Sequence, residues 1–239
     1  MANAIAVLSG ELSVGTLKYT SGPSYGEMWL YDNAVVAGIA TANEYHAVFQ
    51  PSTGTTVSGF VFTAGVTAPV ASVQENSAGV SYAVNTTGNH NLSAGDIVTH
   101  NGFTTAAYKG VKTVLSTPSG TRYVVAGTYS VTNTGVVTRG SRFVASAGSA
   151  GVYRVSFAFT VKAVADSTLF RIELNQGLLA ADNIGCDVYY AKAAEAHSQN
   201  SAGLLTIAVG DHIWLTIKNK TDTSDFTIVH ANMALSRAG

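Results

Sequence analysis

The chain reads as an all-β protein, and three observations carry that expectation. Apolar residues recur at every second position in short runs, clusters of Gly, Asn, Asp and Ser separate the runs, and helical periodicity is almost absent. In chain order the expected strands are EMWLYD (27–32), YHAVF (45–49), SGFVFTA (58–64), DIVTH (96–100), GVKTVL (110–115) and TRYVVAG (121–127). They continue with GVYRVSFAFTVKA (151–163), FRIEL (170–174), HIWLTIKN (212–219) and FTIVHANMAL (226–235). The best helix candidate, AKAAEAH (191–197), is barely two turns long. In FRIEL, Phe170, Ile172 and Leu174 share one face and Arg171 and Glu173 the other, the pattern of a strand with one wet side.

The run 151–163 poses a question. Tyr153, Val155, Phe157, Phe159 and Val161 fall on one face, and Arg154, Ser156, Ala158 and Thr160 on the other. A solvated strand face normally carries several charges, and this one carries almost none. Something is expected to cover it.

The middle of the chain has shorter strands and tighter turns. Asn101-Gly102 is a hairpin dipeptide, and Pro118-Ser119-Gly120 marks a second turn. The reading is a small β-barrel over 72–138 inserted into an outer domain made of 18–71 plus 139–239, with a tandem of two domains as the alternative. Residues 1–17 form either an opening strand or an arm lying on a neighbour, because Ile5, Val7, Leu8, Leu12, Val14 and Leu17 favour burial.

Charged residues make up 11% of the chain, against roughly 25% in an average soluble domain. The formal net charge of −1 provides no basic field for nucleic acid or an anionic membrane. Low charge with 46% hydrophobic residues points to surface lost to subunit contacts, since interface cores are depleted in charge; a monomer with a Thr/Ser/Asn-rich skin is the alternative. No stretch has the length of a membrane span, and MANAIAVLSGELSVG lacks the basic start and long apolar core of a signal peptide. The single Cys186 allows no intrachain disulfide. The expectation is synthesis in a cytosol, with the Asn-X-Thr triplets at Asn85 and Asn219 serving as turns.

Nothing in the sequence assembles an active site. His46, His90, His100, His197, His212 and His230 show no zinc-ligand spacing. Asp96 and Asp211 each follow a Gly just before a strand, as a turn requires without any catalytic role. NKTDTSD (219–225) reads as a polar loop in preference to a calcium ligand set, and no nucleophile elbow or phosphate loop occurs. No cofactor is expected. Tyr189-Tyr190 is the one aromatic pair that a sugar-stacking platform would use, and aromatics of an all-β chain serve more often as core or interface.

Certain stretches resemble a known group. TRGSRFVASAGSAGVYRVSFAFTVKA, FRIELNQG and LLTIAVGDHIWLTIKNKTDTSDFTIVHANMALSRAG resemble phage structural proteins with a tumour-necrosis-factor/complement-like jelly roll. The shared features are an AGxYxVSFxxT strand, a GDxIWLxIKN strand and a final strand closing the C-terminus. YGEMWLYDNAVVAGIATANEYHAVF is similar to that group's opening strands. HNLSAGDIVTHNG resembles small barrels of phage virion proteins, with Asn91 standing where Gly is usual. The resemblance spans about 25–239. It implies a trimeric jelly-roll sandwich with an inserted small β-barrel, without enzymatic activity. It further implies a virion protein assembled in the host cytoplasm and placed on the capsid exterior. Its partners would be itself as a homotrimer and the major capsid protein, with host surface glycans as partners of a fibre-type alternative. Candidate subunit contacts are Tyr153, Phe157, Trp214, Tyr189, Tyr190 and Phe226; candidate capsid contacts are Ile5, Val7, Leu8, Leu12, Val14 and Leu17.

Overall fold

The computed structural model describes residues 12–13, 16–17, 24–30, 36–37, 45–49, 54–177, 179–190 and 192–238. Leu12–Ser13 (β1) pairs with Thr16–Leu17 (β2) as a minimal hairpin. Ile5, Val7, Leu8 and Val14 lie outside the described residues. Tyr25–Leu30 (β3), Val36–Ala37 (β4), His46–Ala47 (β5), Gly54–Ser58 (β6) and Phe60–Thr63 (β7) follow. Next come Val66–Ser77 (β8), Ser81–Thr86 (β9), Ile97–Asn101 (β10), Gly110–Ser119 (β11), Arg122–Ala126 (β12) and Gly135–Arg139 (β13), with one 3-10 turn at Ala106–Tyr108. Arg142–Ala145 (β14), Gly151–Ala163 (β15), Thr168–Gln176 (β16), Leu179–Tyr190 (β17), Ala196–Ile207 (β18), His212–Asn219 (β19) and Phe226–Arg237 (β20) complete the chain.

The protein is all-β, with two sheets forming a sandwich beside a closed barrel. One sheet runs β17-β16-β19-β14-β7 with β5 beside β19, and the other runs β18-β15-β20-β3-β6 with β4 beside β20. Every pairing is antiparallel. Period-two alternation makes one side of each sheet apolar, and the two apolar sides share a core of Phe143, Tyr153, Phe157, Phe170, Leu215, Phe226 and their neighbours. The described residues of the expected helix at 191–197 form none. Ala194 turns the chain at φ +65, and β18 begins at Ala196 because pairing with β15 overrides local helix propensity.

The barrel closes in the order β10-β11-β12-β9-β8-β13, which leaves it no free edge. The boundary expected at 72 falls inside β8, whose alternation starts at Val66. Asn101-Gly102 does turn, with Gly102 at φ +71, but into a connection that carries the 3-10 turn before β11, so no two-residue hairpin forms. Pro118 sits within β11 beside its register shift, and the turn comes at Gly120–Thr121. Asn91, at the position where the resembling barrels carry Gly, has φ +49, a left-handed conformation that Asn tolerates well.

Aromatic rings fill the barrel: Tyr82, Phe103, Tyr108 and Tyr123 are fully buried around His100. The His100 Nδ1 proton goes to the Tyr108 carbonyl (3.0 Å), because a carbonyl only accepts. Nε2 therefore accepts from the Tyr123 hydroxyl (2.8 Å), and the ring is neutral. Burial holds the His100 pKa down to about 3, and burial holds His46 down to about 4 against a raising effect of Asp225.

Barrel and sandwich meet at a buried ion cluster. Gly95, at φ +87, turns Asp96 so that its Oδ2 accepts from the Ser93 N–H (2.9 Å) and from Arg139 Nη1 (2.6 Å). Its Oδ1 accepts from Arg142 Nη2 at 2.5 Å. Asp96 and Arg139 belong to the barrel and Arg142 to the sandwich strand β14. Burial raises the Asp96 pKa, but the Ser93 N–H and both guanidiniums outweigh it and hold the carboxyl below its ordinary value. Beside the cluster, Trp214 packs with Ala47 and the barrel's Ile97.

Two measurements follow. Asp96→Asn leaves Arg142 buried without its counter-charge, so equilibrium unfolding should show a loss of about 3 kcal/mol. His46 and His100 bind protons in the unfolded chain below about pH 6.5 but not in the folded one. Stability should therefore fall as pH drops from about 6.5 toward 4 through His46 and toward 3 through His100. Asp96 adds a further loss below the ordinary carboxylate range. Urea midpoints at stepped pH check this slope, and His46→Phe should flatten its upper part.

Candidate functional site

The two sheets turn outer faces of opposite character to their surroundings. On the β17-β16-β19 side, charges cluster and neutralise one another. Arg171 Nε donates to Glu173 Oε1 (2.6 Å) and Nη1 to Asp187 Oδ1 (3.2 Å). Lys218 lies 3.4 Å from Glu173 and Lys220 3.6 Å from Asp187. Lys218 also donates to the Tyr45 hydroxyl (2.8 Å) over the edge of its ring. These charges satisfy one another, with Arg171, Asp187 and Lys220 partly exposed and Glu173 and Lys218 mostly buried.

The outer face of β18-β15-β20-β3 is different. Register places its side chains in rows: Leu204, Arg154, Ser236 and Tyr25; then Ala202, Ser156, Ala234 and Glu27; then Asn200, Ala158, Asn232 and Trp29; then Ser198, Thr160 and His230. Ser156, Ala158 and Ala202 are exposed, and Leu204 shows 65% of its surface. The charges among these rows are Arg154 and Glu27, and Asn232 Nδ2 donates to Glu27 Oε1 (2.8 Å). Lys162 follows at the far end of β15. Small side chains in the middle rows make a low shelf. A shallow groove of about 280 Å³ crosses it where a register shift in β20 separates Thr160 from Val161. Thr160, Ser198, Asn200, His230 and Asn232 are among its lining residues, and the Thr160 and Ser198 hydroxyls lie 2.7 Å apart.

The structure corrects most of the expected subunit contacts. Tyr153, Phe157 and Phe226 lie in the chain's own core, each at most 1% exposed. Their parity on β15 and β20 points them between the sheets, so no second subunit reaches them. Trp214 points out of the sandwich, but the barrel covers it and its Nε1 donates to the Gly177 carbonyl (3.0 Å). Tyr189 is 58% exposed on β17, on the charged side of the molecule. Tyr190 ends β17, with its side chain outside the described residues. The residues that carry the exposed face are of the other parity, Ser156 and Ala158 with Ala202 and Ala234 beside them. Sequence reasoning missed β18 because Ser, Asn, Gln, Ala and Gly give no strong strand pattern. It missed the Asp96 cluster because Arg139 and Arg142 are distant in the chain.

The two Gly-Asp turns are as expected: Asp211 Oδ2 accepts from the Ala208 N–H (2.7 Å), and Gly210 has φ +87. In 219–225 the buried Asn219 closes the loop. Its Oδ1 accepts from Thr221 N (2.9 Å) and its Nδ2 donates to Asp222 Oδ1 (2.7 Å), which leaves that carboxylate occupied. Asn85, in contrast, lies inside β9 and donates to Ser72 Oγ (3.1 Å), so it forms no turn. Among the described residues no group of three or more His, Cys, Asp or Glu is placed to hold a metal ion. No helix among them is long and apolar enough to cross a membrane.

No protein-family profile matches the chain, and no curated protein matches it.

Phe157→Ala should cost about 3–5 kcal/mol as a core truncation. Ala158→Lys, one residue away on the exposed face, should leave the unfolding midpoint at dilute protein within about 0.5 kcal/mol of the parent.

Proposed function

We propose that the protein is a structural component of a phage virion. In this reading it is a homotrimeric capsid cement or decoration protein that sits on the head exterior and binds the major capsid protein. The observation that carries the proposal is the exposed, nearly uncharged outer face of β18-β15-β20-β3, set against a charge-satisfied face on the other sheet. A face of small, neutral side chains loses little by desolvation when another subunit covers it. The movement of the chain back and forth between the sheets supports a jelly roll: β14 lies in one, β15 in the other, β16 and β17 in the first, then β18, β19 and β20 alternate. The AGVYRVSFAFT and GDHIWLTIKN strands, the basis of the resemblance to trimeric phage proteins, are β15 and β19. A ring of three repeats one heterologous contact and closes, leaving no sticky face unpaired. The function is burial of contact area without catalysis or cofactor, during assembly in the host cytoplasm and afterwards on the capsid.

A second reading draws on the groove between β15, β18 and β20. Its hydroxyls and amides, at Thr160, Ser198, Asn200 and Asn232, are the donors and acceptors a host surface glycan would use in a fibre-type receptor-binding protein.

Light scattering behind a sizing column tests the first reading. A mass near 74 kDa, three times 24.7 kDa, is expected. Ala158→Lys should shift the assembly toward monomer, because each of the three repeated contacts would then bury an unpaired lysine. A parent chain that elutes as a 24.7 kDa monomer overturns the reading. Gold-labelled antibody on intact virions then separates cement, with label on heads, from fibre, with label on tails.

A further inference from the structure

The chain crosses between sandwich and barrel twice, and the two crossings are laced together. Gly65 N donates to Ser141 Oγ (2.9 Å) and Arg139 Nη2 to the Ala64 carbonyl (3.0 Å). The way out, between β7 and β8, is thus tied to the way back, between β13 and β14. Both arginines of the Asp96 cluster flank the return, Arg139 at the end of β13 and Arg142 at the start of β14. Their charges do not cancel. Asp96 is the ion-pair partner of both, and among the described residues neither has another, so two positive charges meet one negative. Burial lowers the Arg142 pKa and the charge of Arg139 adds to the lowering, while Asp96 opposes both. Arg142 is only 4% exposed. Its Nη2 holds Asp96, but its Nε and Nη1 are shut off from solvent without a hydrogen-bond partner, and so is Arg139 Nε. Buried polar groups are paired in the great majority of cases. A guanidinium only donates, so these N–H groups call for an acceptor.

We propose that Arg142, with Arg139 beside it, binds a small monovalent anion of the chloride class at the joint between barrel and sandwich. Water would serve the unpaired N–H groups but leave the surplus positive charge buried and uncompensated, which is costly. A halide answers both needs. One negative charge balances the cluster, whereas phosphate or sulfate would overcompensate it and demand more donors than Arg142 Nε, Arg142 Nη1 and Arg139 Nε supply. Asp96 repels an anion, so the ion is confined to the guanidinium edges turned away from that carboxylate. His212 stands across from Val144 on β19. Burial lowers its pKa, and the Arg142 charge lowers it further against Asp96 and Asp211, so its ring is uncharged at neutral pH and adds nothing to the balance. The anion sits where both crossings meet and fixes the pose of the barrel over the Trp214 side of the sandwich.

Halide dependence of stability tests the site. Urea unfolding of the full chain is followed at neutral pH in mixtures of sodium chloride and sodium gluconate at fixed ionic strength. Above half-saturation, each tenfold rise in chloride should raise the folding equilibrium constant about tenfold, because the ion binds the folded chain alone. Arg142→Met should abolish this dependence. Asp96→Asn removes the repelling charge and should tighten chloride binding by about tenfold or more. If Arg142→Met does not fold, Arg139→Met takes its place, since that side chain is 11% exposed; it should weaken chloride binding by about tenfold or more. Crystals grown in sodium bromide locate the ion, with an anomalous peak in contact with Arg142 Nε or Nη1 as the expected result. Equal stability in chloride and gluconate overturns the proposal, and so does a dependence that the arginine variants leave undiminished. A chloride effect with bromide bound only elsewhere overturns it as well. A bromide peak at Arg142 without any chloride effect on stability means an adventitious ion only, and likewise overturns it.

Discussion

Period-two alternation along β15 is the constraint on which the rest of the sandwich depends. The strand is paired along nearly its whole length on both sides, with β18 and with β20. Its register therefore sets the facing of three strands at once. Val155, Phe157 and Phe159 enter the core while Ser156 and Ala158 leave it. A slip of one residue would bury Arg154 and expose the phenylalanines, so the hydrophobic side enforces the register. The outer face is thus a by-product of core formation in its position but not in its composition. Packing requires only that its side chains point away, and nothing in the core explains why they are small and uncharged.

The joint between barrel and sandwich solves a different problem. A closed barrel has no strand edge with which to extend a neighbouring sheet, so it has to be attached through side chains. Asp96 uses both carboxylate oxygens to hold one arginine of the barrel and one of β14, and Trp214 and Ile97 supply apolar contact beside it. Two guanidiniums share one carboxylate, an arrangement that is costly to desolvate and costlier to break. Such a joint contributes orientation more than net stability, and it holds the barrel over the Trp214 side of the sandwich, away from the uncharged face.

Charge is distributed to match. The chain has few charged residues, and it gathers Arg171, Glu173, Asp187, Lys218 and Lys220 into one network on one sheet. The outer face of the opposite sheet carries mostly Ser, Ala, Thr and Asn, with Arg154, Lys162 and Glu27 among them. A sheet face with few charges among small neutral side chains is a surface on which association costs little desolvation, the physical basis of reading this molecule as a component of an assembly.

The amino-acid sequence alone determined the all-β class, because alternation and turn residues are local signals. HIWLTIKN coincides with β19, and the Gly-Asp turns at Asp96 and Asp211 fold as their chemistry requires. The sequence also determined that 151–163 has one apolar and one neutral face. Only the tertiary structure decided which of these faces is inside the chain. Tyr153, Phe157 and Phe226 went to the chain's own core, since a second sheet was present to receive them. β18 became a strand despite the helical bias of its first residues, since β15 offered it an unbroken line of backbone partners. Asp96 acquired Arg142 from 46 residues away. Period and turn chemistry act between neighbours in the chain, whereas burial and ion pairing act between neighbours in space, and only folding brings the latter together.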